Sequence, residues 1–130
     1  MSDLLKIAYK AMDDKQASDL VVLDFREQSP FVDYFIIGSA RNSRMAKSII
    51  ENVEEEALKN GYTVKHSYMS NDSKWLLIDL DEVVCHVFLD NEREVYNLEG
   101  LWKDLPIVKM WVITKHLLSI TMNFFKMKNL

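Results

Sequence analysis

The sequence has few of the residues that build sharp loops and covalent cross-links. Its 130 residues include three glycines, two prolines and one cysteine. The scattered glycines leave no Walker-type or G-x-G-x-x-G loop, which excludes nucleotide binding through those motifs. A lone Cys85 excludes an internal disulfide and fits a reducing compartment. Residues 1–5 also lack the basic region and cleavage site of a secretion signal, so we expect a cytoplasmic protein.

Acidic residues outnumber basic ones, and the excess is unevenly distributed. The net charge is -4, but residues 105–130 hold four lysines and no aspartate or glutamate. Removing these four positive charges leaves -8 on residues 1–104. A body of this charge repels phosphate backbones and suits a basic protein surface. We therefore expect little direct contact with nucleic acid.

Length and periodicity together predict one α/β domain over residues 1–104. A hydrophobic content of 48% is enough for a single core. Apolar residues at helical spacing predict helices at 3–14 and 42–60, and a further helix after Asp90. β-Branched and aromatic runs predict five strands: Asp19–Phe25, Tyr34–Ser39, Tyr62–Tyr68, Trp75–Asp79 and Val83–Leu89. The expected fold is a mixed five-stranded sheet flanked by helices.

Residues 105–130 form a separate extension that is both apolar and basic. Behind Pro106, apolar residues recur at alternating spacings of three and four, which predicts an extra C-terminal helix. The lysines of this segment argue against a membrane span. The spacing fits a helix for dimerisation or docking, and it equally fits a helix that folds back on the body. Both alternatives stay open.

Two of the predicted strands, Trp75–Asp79 and Val83–Leu89, form a hairpin around the short turn Asp81–Glu82. Their antiparallel register sorts the side chains onto two different faces. The first face is apolar and is predicted to lie against the core; it comprises Leu76, Ile78, Leu80, Val83, Cys85 and Val87. The second, called here the mixed face, comprises Trp75, Leu77, Asp79, Val84, His86 and Phe88.

The mixed face has the composition of a protein interface, because it offers a large aromatic ring beside acidic residues. Tryptophans carry much of the binding energy of such interfaces, and nearby carboxylates suit a basic partner. The predicted partner-binding residues are Trp75, Leu77, Asp79, Asp81, Glu82, His86 and Phe88. The pattern alone leaves one alternative, in which a helix of the same chain covers this face and Trp75 is a core residue.

An enzymatic alternative comes from Gly38–Ser39 before a helix and from Asp79 and Asp81 in the hairpin. Nucleotidyltransferases hold metal ions with two aspartates on one strand face, near a Gly-Ser segment. In those enzymes the acidic pair follows soon after the Gly-Ser helix, whereas here another strand intervenes. The position of Asp81 in the turn also separates the two carboxylates. We therefore favour a protein without catalysis, metal or cofactor.

The remaining reactive residues form no recognisable site. His86 has no glutamate or cysteine at ligand spacing, so a hydrogen-bonded sheet histidine is expected rather than a metal ligand. Cys85 falls on the predicted core face, where a buried structural thiol is expected rather than a nucleophile. No Ser-His-Asp or Cys-His motif with a nucleophile elbow is present.

Four blocks of the sequence together resemble the ribosomal silencing factor (RsfS/Iojap) family. The blocks are Lys15–Asp24, Ser29–Ser43, Trp75–Phe88 and Glu92–Trp102. They are spread along the body from residue 15 to residue 102. The order Asp-Tyr-Phe, then D-x-x-V-x-H-V-F, then Tyr-x-Leu-Glu-x-Leu-Trp is specific to that family.

The resemblance implies a small α/β protein with a nucleotidyltransferase-like topology but without catalysis. It implies binding to large-subunit ribosomal protein fourteen on the intersubunit face. A protein bound there prevents the small subunit from joining and lowers translation when nutrients are scarce. The family is also associated with late maturation of the large subunit. Carried over by position, Trp75 is the expected anchor, and Asp81 and Glu82 meet basic groups on the partner.

The sequence departs from the family at three turns and at its end. Many relatives have Ser-Gly where this chain has Ser39–Ala40, a glycine where it has Ser73–Lys74, and Gly-Asp where it has Asp81–Glu82. These differences bear on turn geometry more than on function. The tail beyond Met110 is longer and more apolar than is usual, so no role transfers to it. Family members are often homodimers, and the tail could alter that state.

Overall fold

The computed structural model describes residues 3–27, 29–69 and 73–90. Its elements in chain order are α1 (Asp3–Asp14), β1 (Ser18–Asp24), β2 (Tyr34–Ala40), α2 (Ser43–Lys59), β3 (His66–Tyr68), β4 (Trp75–Asp79) and β5 (Val83–Leu89). The five strands form one sheet in the order β1-β2-β5-β4-β3. β2 and β5 pair in parallel and the other neighbours pair antiparallel, which confirms the predicted mixed sheet.

Most element boundaries lie within one residue of the predicted ones, but the third strand is shorter. β3 begins at His66 rather than Tyr62. The Tyr62 N–H donates to Ala57 O at 2.9 Å, so the backbone of Tyr62 is held by the turn that follows α2 and not by a neighbouring strand. The helices predicted after Asp90 and in 105–130 lie outside the described residues, and the nucleotidyltransferase-like topology stays a prediction. No helix in the described ranges is long and apolar enough to cross a membrane.

Both helices contribute to the main core on one face of the sheet. The apolar face of the hairpin is buried in this core, as its alternation predicted; its residues are Leu76, Ile78, Leu80, Val83, Cys85 and Val87. Burial raises the pKa of the Cys85 thiol, because the thiolate would lose its hydration there. Cys85 is therefore a buried structural cysteine, as expected.

A side-chain cap fixes the start of α2 and thereby the placement of its apolar stripe. Asn42 has an extended backbone, and its Oδ1 accepts a hydrogen bond from Met45 N at 2.9 Å. This bond satisfies one of the N–H groups that a helix start leaves without an intrahelical partner. Further along the helix, Asn52 Nδ2 donates to Ala11 O at 2.8 Å and links α2 to α1.

We expect Asn42→Ala to lower the free energy of unfolding by about 1 kcal/mol, because the Met45 N–H loses its acceptor. Urea denaturation followed by circular dichroism measures the change. Asn42→Asp is the matched control, since its carboxylate restores an acceptor at the positive end of the helix dipole. Equal destabilisation by the two substitutions would contradict the role of the cap.

Candidate protein-binding site

The β4–β5 hairpin has the register that the sequence predicted. The paired residues are Trp75 with Phe88, Leu76 with Val87, Leu77 with His86, Ile78 with Cys85, and Asp79 with Val84. Leu80 N donates to Val83 O at 2.9 Å and closes the turn. Because side chains alternate along a strand, the mixed face lies on the side of the sheet opposite the main core.

A hydrogen bond between two rings organises the mixed face. Trp75 Nε1 donates to His86 Nδ1 at 3.0 Å. Since an indole N–H can only donate, His86 Nδ1 is unprotonated and the ring proton lies on Nε2. That Nε2 atom is buried without a hydrogen-bond partner among the described residues. Burial lowers the pKa of His86 from 6.5 to about 4, so the ring is neutral at pH 7.

Aromatic rings pack around His86 in a second, smaller core. The Phe35 ring centroid lies 4.5 Å from that of His86, and Trp75 stacks on Phe88 at 5.2 Å. Phe25 follows β1 directly, and its ring centroid lies 4.4 Å from that of Phe35 in the same cluster. The indole of Trp75 is thus held by stacking as well as by its hydrogen bond. A side chain fixed in this way loses little conformational entropy when it binds a partner.

The predicted site residues differ in how much of each side chain is exposed. His86 is 5% exposed and Phe88 is fully buried, which favours a role in supporting Trp75 over direct contact with a partner. The other predicted residues keep accessible surface: Trp75, Leu77, Asp79, Asp81 and Glu82. Trp75 itself is half-buried, so it is neither a full core residue nor a free surface residue. Partner binding by this set stays a prediction.

The acidic turn adopts a conformation that usually favours glycine. Asp81 has φ 80°, in the left-handed region, where aspartate is tolerated better than most residues. Asp79 Oδ1 accepts a hydrogen bond from Asp81 N at 2.8 Å, and Lys65 Nζ lies 3.5 Å from Asp81 Oδ1. Asp81 therefore adopts a backbone conformation that favours glycine while keeping the turn closed.

This geometry does not favour a nucleotidyltransferase metal site. The carboxylate of Asp79 is used to close the turn, and that of Asp81 faces Lys65. Gly38 lies inside β2, where an added Cβ would stand 2.9 Å from Leu20 Cδ2. It therefore serves close packing rather than phosphate binding. No group of three or more potential metal ligands occurs within residues 3–27, 29–69 and 73–90.

The sequence interpretation missed the connection between the β1–β2 loop and the acidic turn. Asp33 N and Tyr34 N both donate to Glu82 O, at 2.8 and 3.0 Å. The parallel pairing of β2 with β5 brings these segments together, with Tyr34 opposite Val83. Parallel pairing joins strands that are far apart in sequence, so no local pattern reveals it.

Burial of a neutral His86 makes stability depend on pH. Its pKa is about 4 in the folded protein and 6.5 in the unfolded chain, so its contribution is complete above pH 6.5. The contribution is lost as the pH falls from 6.5 to 4, because the unfolded chain takes up the proton first. A shift of this size corresponds to about 3 kcal/mol.

We expect His86→Gln to remove this part of the acid sensitivity while keeping an acceptor for the Trp75 N–H. Urea denaturation at pH 7 and pH 4 gives the loss of unfolding free energy for each protein. Carboxylates titrate in both proteins, so the difference between the two losses isolates His86. An identical loss in wild type and variant would show that His86 is not buried in its neutral form.

The chain is similar to known proteins over most of its length. The family model described as "Ribosomal silencing factor during starvation" matches residues 1–122. Ribosomal silencing factor RsfS of Bacillus subtilis is 39% identical over 107 residues, which cover 82% of this chain and 91% of the relative. The RsfS protein of Halalkalibacterium halodurans is 36% identical over 108 residues, which cover 83% and 92%.

Solved structures share the fold. A crystal structure of a Bacillus halodurans protein superimposes with a TM-score of 0.73 at 35% identity, over 83% of this chain and 98% of that one. A Chromobacterium violaceum crystal structure superimposes with a TM-score of 0.75 over 89% and 98% of the two chains. Its 24% identity supports the likeness of fold alone.

Proposed function

This chain belongs to the ribosomal silencing factor family, and on that premise we propose that it represses translation by binding the large ribosomal subunit. We propose that it docks on large-subunit ribosomal protein fourteen at the intersubunit face and blocks joining of the small subunit. Its place of action would be the cytoplasm. Membership of this family supports the role of a ribosome-associated regulator of translation.

The observation that carries the proposal is the half-buried Trp75, which His86 holds on the same hairpin that carries the acidic turn. A fixed aromatic ring on an acidic hairpin has the character of an interface hot spot. The charge of -8 on residues 1–104 favours a basic ribosomal protein over the phosphates of ribosomal RNA. Complementary charge also accelerates association and sets orientation.

A steric mechanism needs occupancy of a surface and no catalysis. A compact domain of this length has a radius of gyration of about 14 Å. Two ribosomal subunits that must reach van der Waals contact cannot close over an obstacle of that size. One bound copy per large subunit is therefore sufficient for repression.

We expect Trp75→Ala to weaken binding to purified large subunits roughly thirtyfold or more, because loss of a hot-spot tryptophan costs about 2 kcal/mol or more. Cosedimentation of titrated protein with the subunits measures the affinity. Leu58→Ala is the matched control, since Leu58 is 52% exposed on α2, the helix that packs on the opposite side of the sheet. Wild-type affinity in a folded Trp75→Ala protein would exclude Trp75 as the anchor.

Joining of purified subunits tests the steric block separately from binding. Wild-type protein added to the large subunit should lower the joined fraction in a sucrose gradient, and Trp75→Ala should restore it at equal concentration. Protein that saturates the large subunit without changing the joined fraction would contradict the block. Magnesium and salt are held constant, because both shift subunit association by themselves.

A further inference from the structure

The loop between β1 and β2 carries a strongly exposed aromatic side chain. Phe31 is 83% exposed, against 52% for Leu58 and 51% for Tyr68, the other exposed large apolar residues of the described ranges. Complete burial of such a side chain in a partner's pocket releases about 1.5 to 3 kcal/mol. The Phe31 side chain stays exposed in the described structure, so its burial by a partner would contribute to the free energy of binding.

Hydrogen bonds fix the loop backbone on both sides of Phe31. Phe25 N donates to Asp33 O at 2.8 Å, and Ser29 N donates to Phe25 O at 2.9 Å. The Phe31 N–H itself donates to Ser29 Oγ at 3.1 Å. The exposed ring is thus presented from an ordered backbone, which reduces the entropy cost of binding.

An ion pair reinforces the base of the same loop. Arg26 Nη2 donates to Asp24 Oδ2 at 2.7 Å, and Arg26 Nε lies 3.0 Å from Asp24 Oδ1, a two-pronged geometry. The Arg26 guanidinium holds the pKa of the Asp24 carboxyl below its usual range through these hydrogen bonds. It also lies 5.4 Å from the centroid of the Tyr34 ring. The positive charge of Arg26 is therefore largely neutralised within the loop.

The loop and the acidic turn form one continuous end of the sheet. Glu82 O accepts hydrogen bonds from both Asp33 N and Tyr34 N, so the segment that carries Phe31 is bonded to the turn. Asp81 follows Trp75 by six positions, which corresponds to about 20 Å of extended strand. An interface of about 800 Å² per partner is roughly 30 Å across, so a single interface can include both Trp75 and the acidic turn.

We propose that Phe31 is a second anchor of the docking surface and enters an apolar pocket, rimmed by basic side chains, on a protein of the large subunit. This inference rests on the proposed function and names a contact that the family resemblance did not supply. Asp33, Asp81 and Glu82 lie around the loop and would repel phosphates. The occupant is therefore a protein surface rather than ribosomal RNA.

We expect Phe31→Ala to weaken binding to purified large subunits by about tenfold or more, because the ring loses its pocket. The thermal unfolding midpoint should stay within about 2 °C of wild type, since an exposed side chain contributes little to folding. Leu58→Ala serves again as the exposed apolar control and should stay within about twofold of wild-type affinity. Cosedimentation and thermal unfolding provide the two measurements.

The outcomes separate this inference from the proposed function. Wild-type protein that fails to bind large subunits overturns both. Binding that Trp75→Ala weakens and Phe31→Ala leaves unchanged overturns the second anchor alone. The photoreactive substitution Phe31→p-benzoylphenylalanine identifies the occupant on purified subunits. A cross-link to a ribosomal protein supports the inference, whereas one to ribosomal RNA, to a second copy or to residues 91–130 of the same chain overturns it.

Discussion

The parallel pairing of β2 with β5 is the constraint on which the candidate site depends. It places the β4–β5 hairpin beside β2 and sets Tyr34 opposite Val83. As a result, the Phe35 ring of β2 packs against His86 on the mixed face of the hairpin, and the β1–β2 loop reaches the acidic turn. Parallel neighbours need a long crossover, which α2, β3 and β4 supply. The site is therefore assembled from segments far apart in the chain.

The two sides of the sheet serve different purposes. One side buries apolar side chains against α1 and α2 and forms the main core. On the other side, aromatic rings pack around a neutral histidine, and this cluster is only partly buried. Within the described residues the buried Nε2 of His86 has no hydrogen-bond partner, while its Nδ1 accepts a hydrogen bond from the indole of Trp75. This bond fixes the orientation of the Trp75 ring, so the folding of the sheet determines how the candidate anchor is presented.

The acidic charge of residues 1–104 bears on the docking proposed above. Phosphates would repel a body of this charge at a distance and basic ribosomal proteins would attract it, so electrostatics would restrict the places where it can dock. The aromatic side chains proposed as anchors would then supply the short-range energy. Specificity would come from the two together, because neither charge nor one exposed ring distinguishes a partner alone.

The sequence by itself determined the elements with strong local patterns. The hairpin register, the face that enters the core and the burial of Cys85 follow from alternation and a short turn, because period-two patterning is a local property. Tertiary structure alone decided the strand order, the shorter β3 and the burial of His86 and Phe88. Alternation shows which side chains share a face, but what packs on that face depends on non-local pairing. The Phe35 ring comes from β2 and the Phe25 ring from the residue after β1, and no local signal connects either residue to the hairpin.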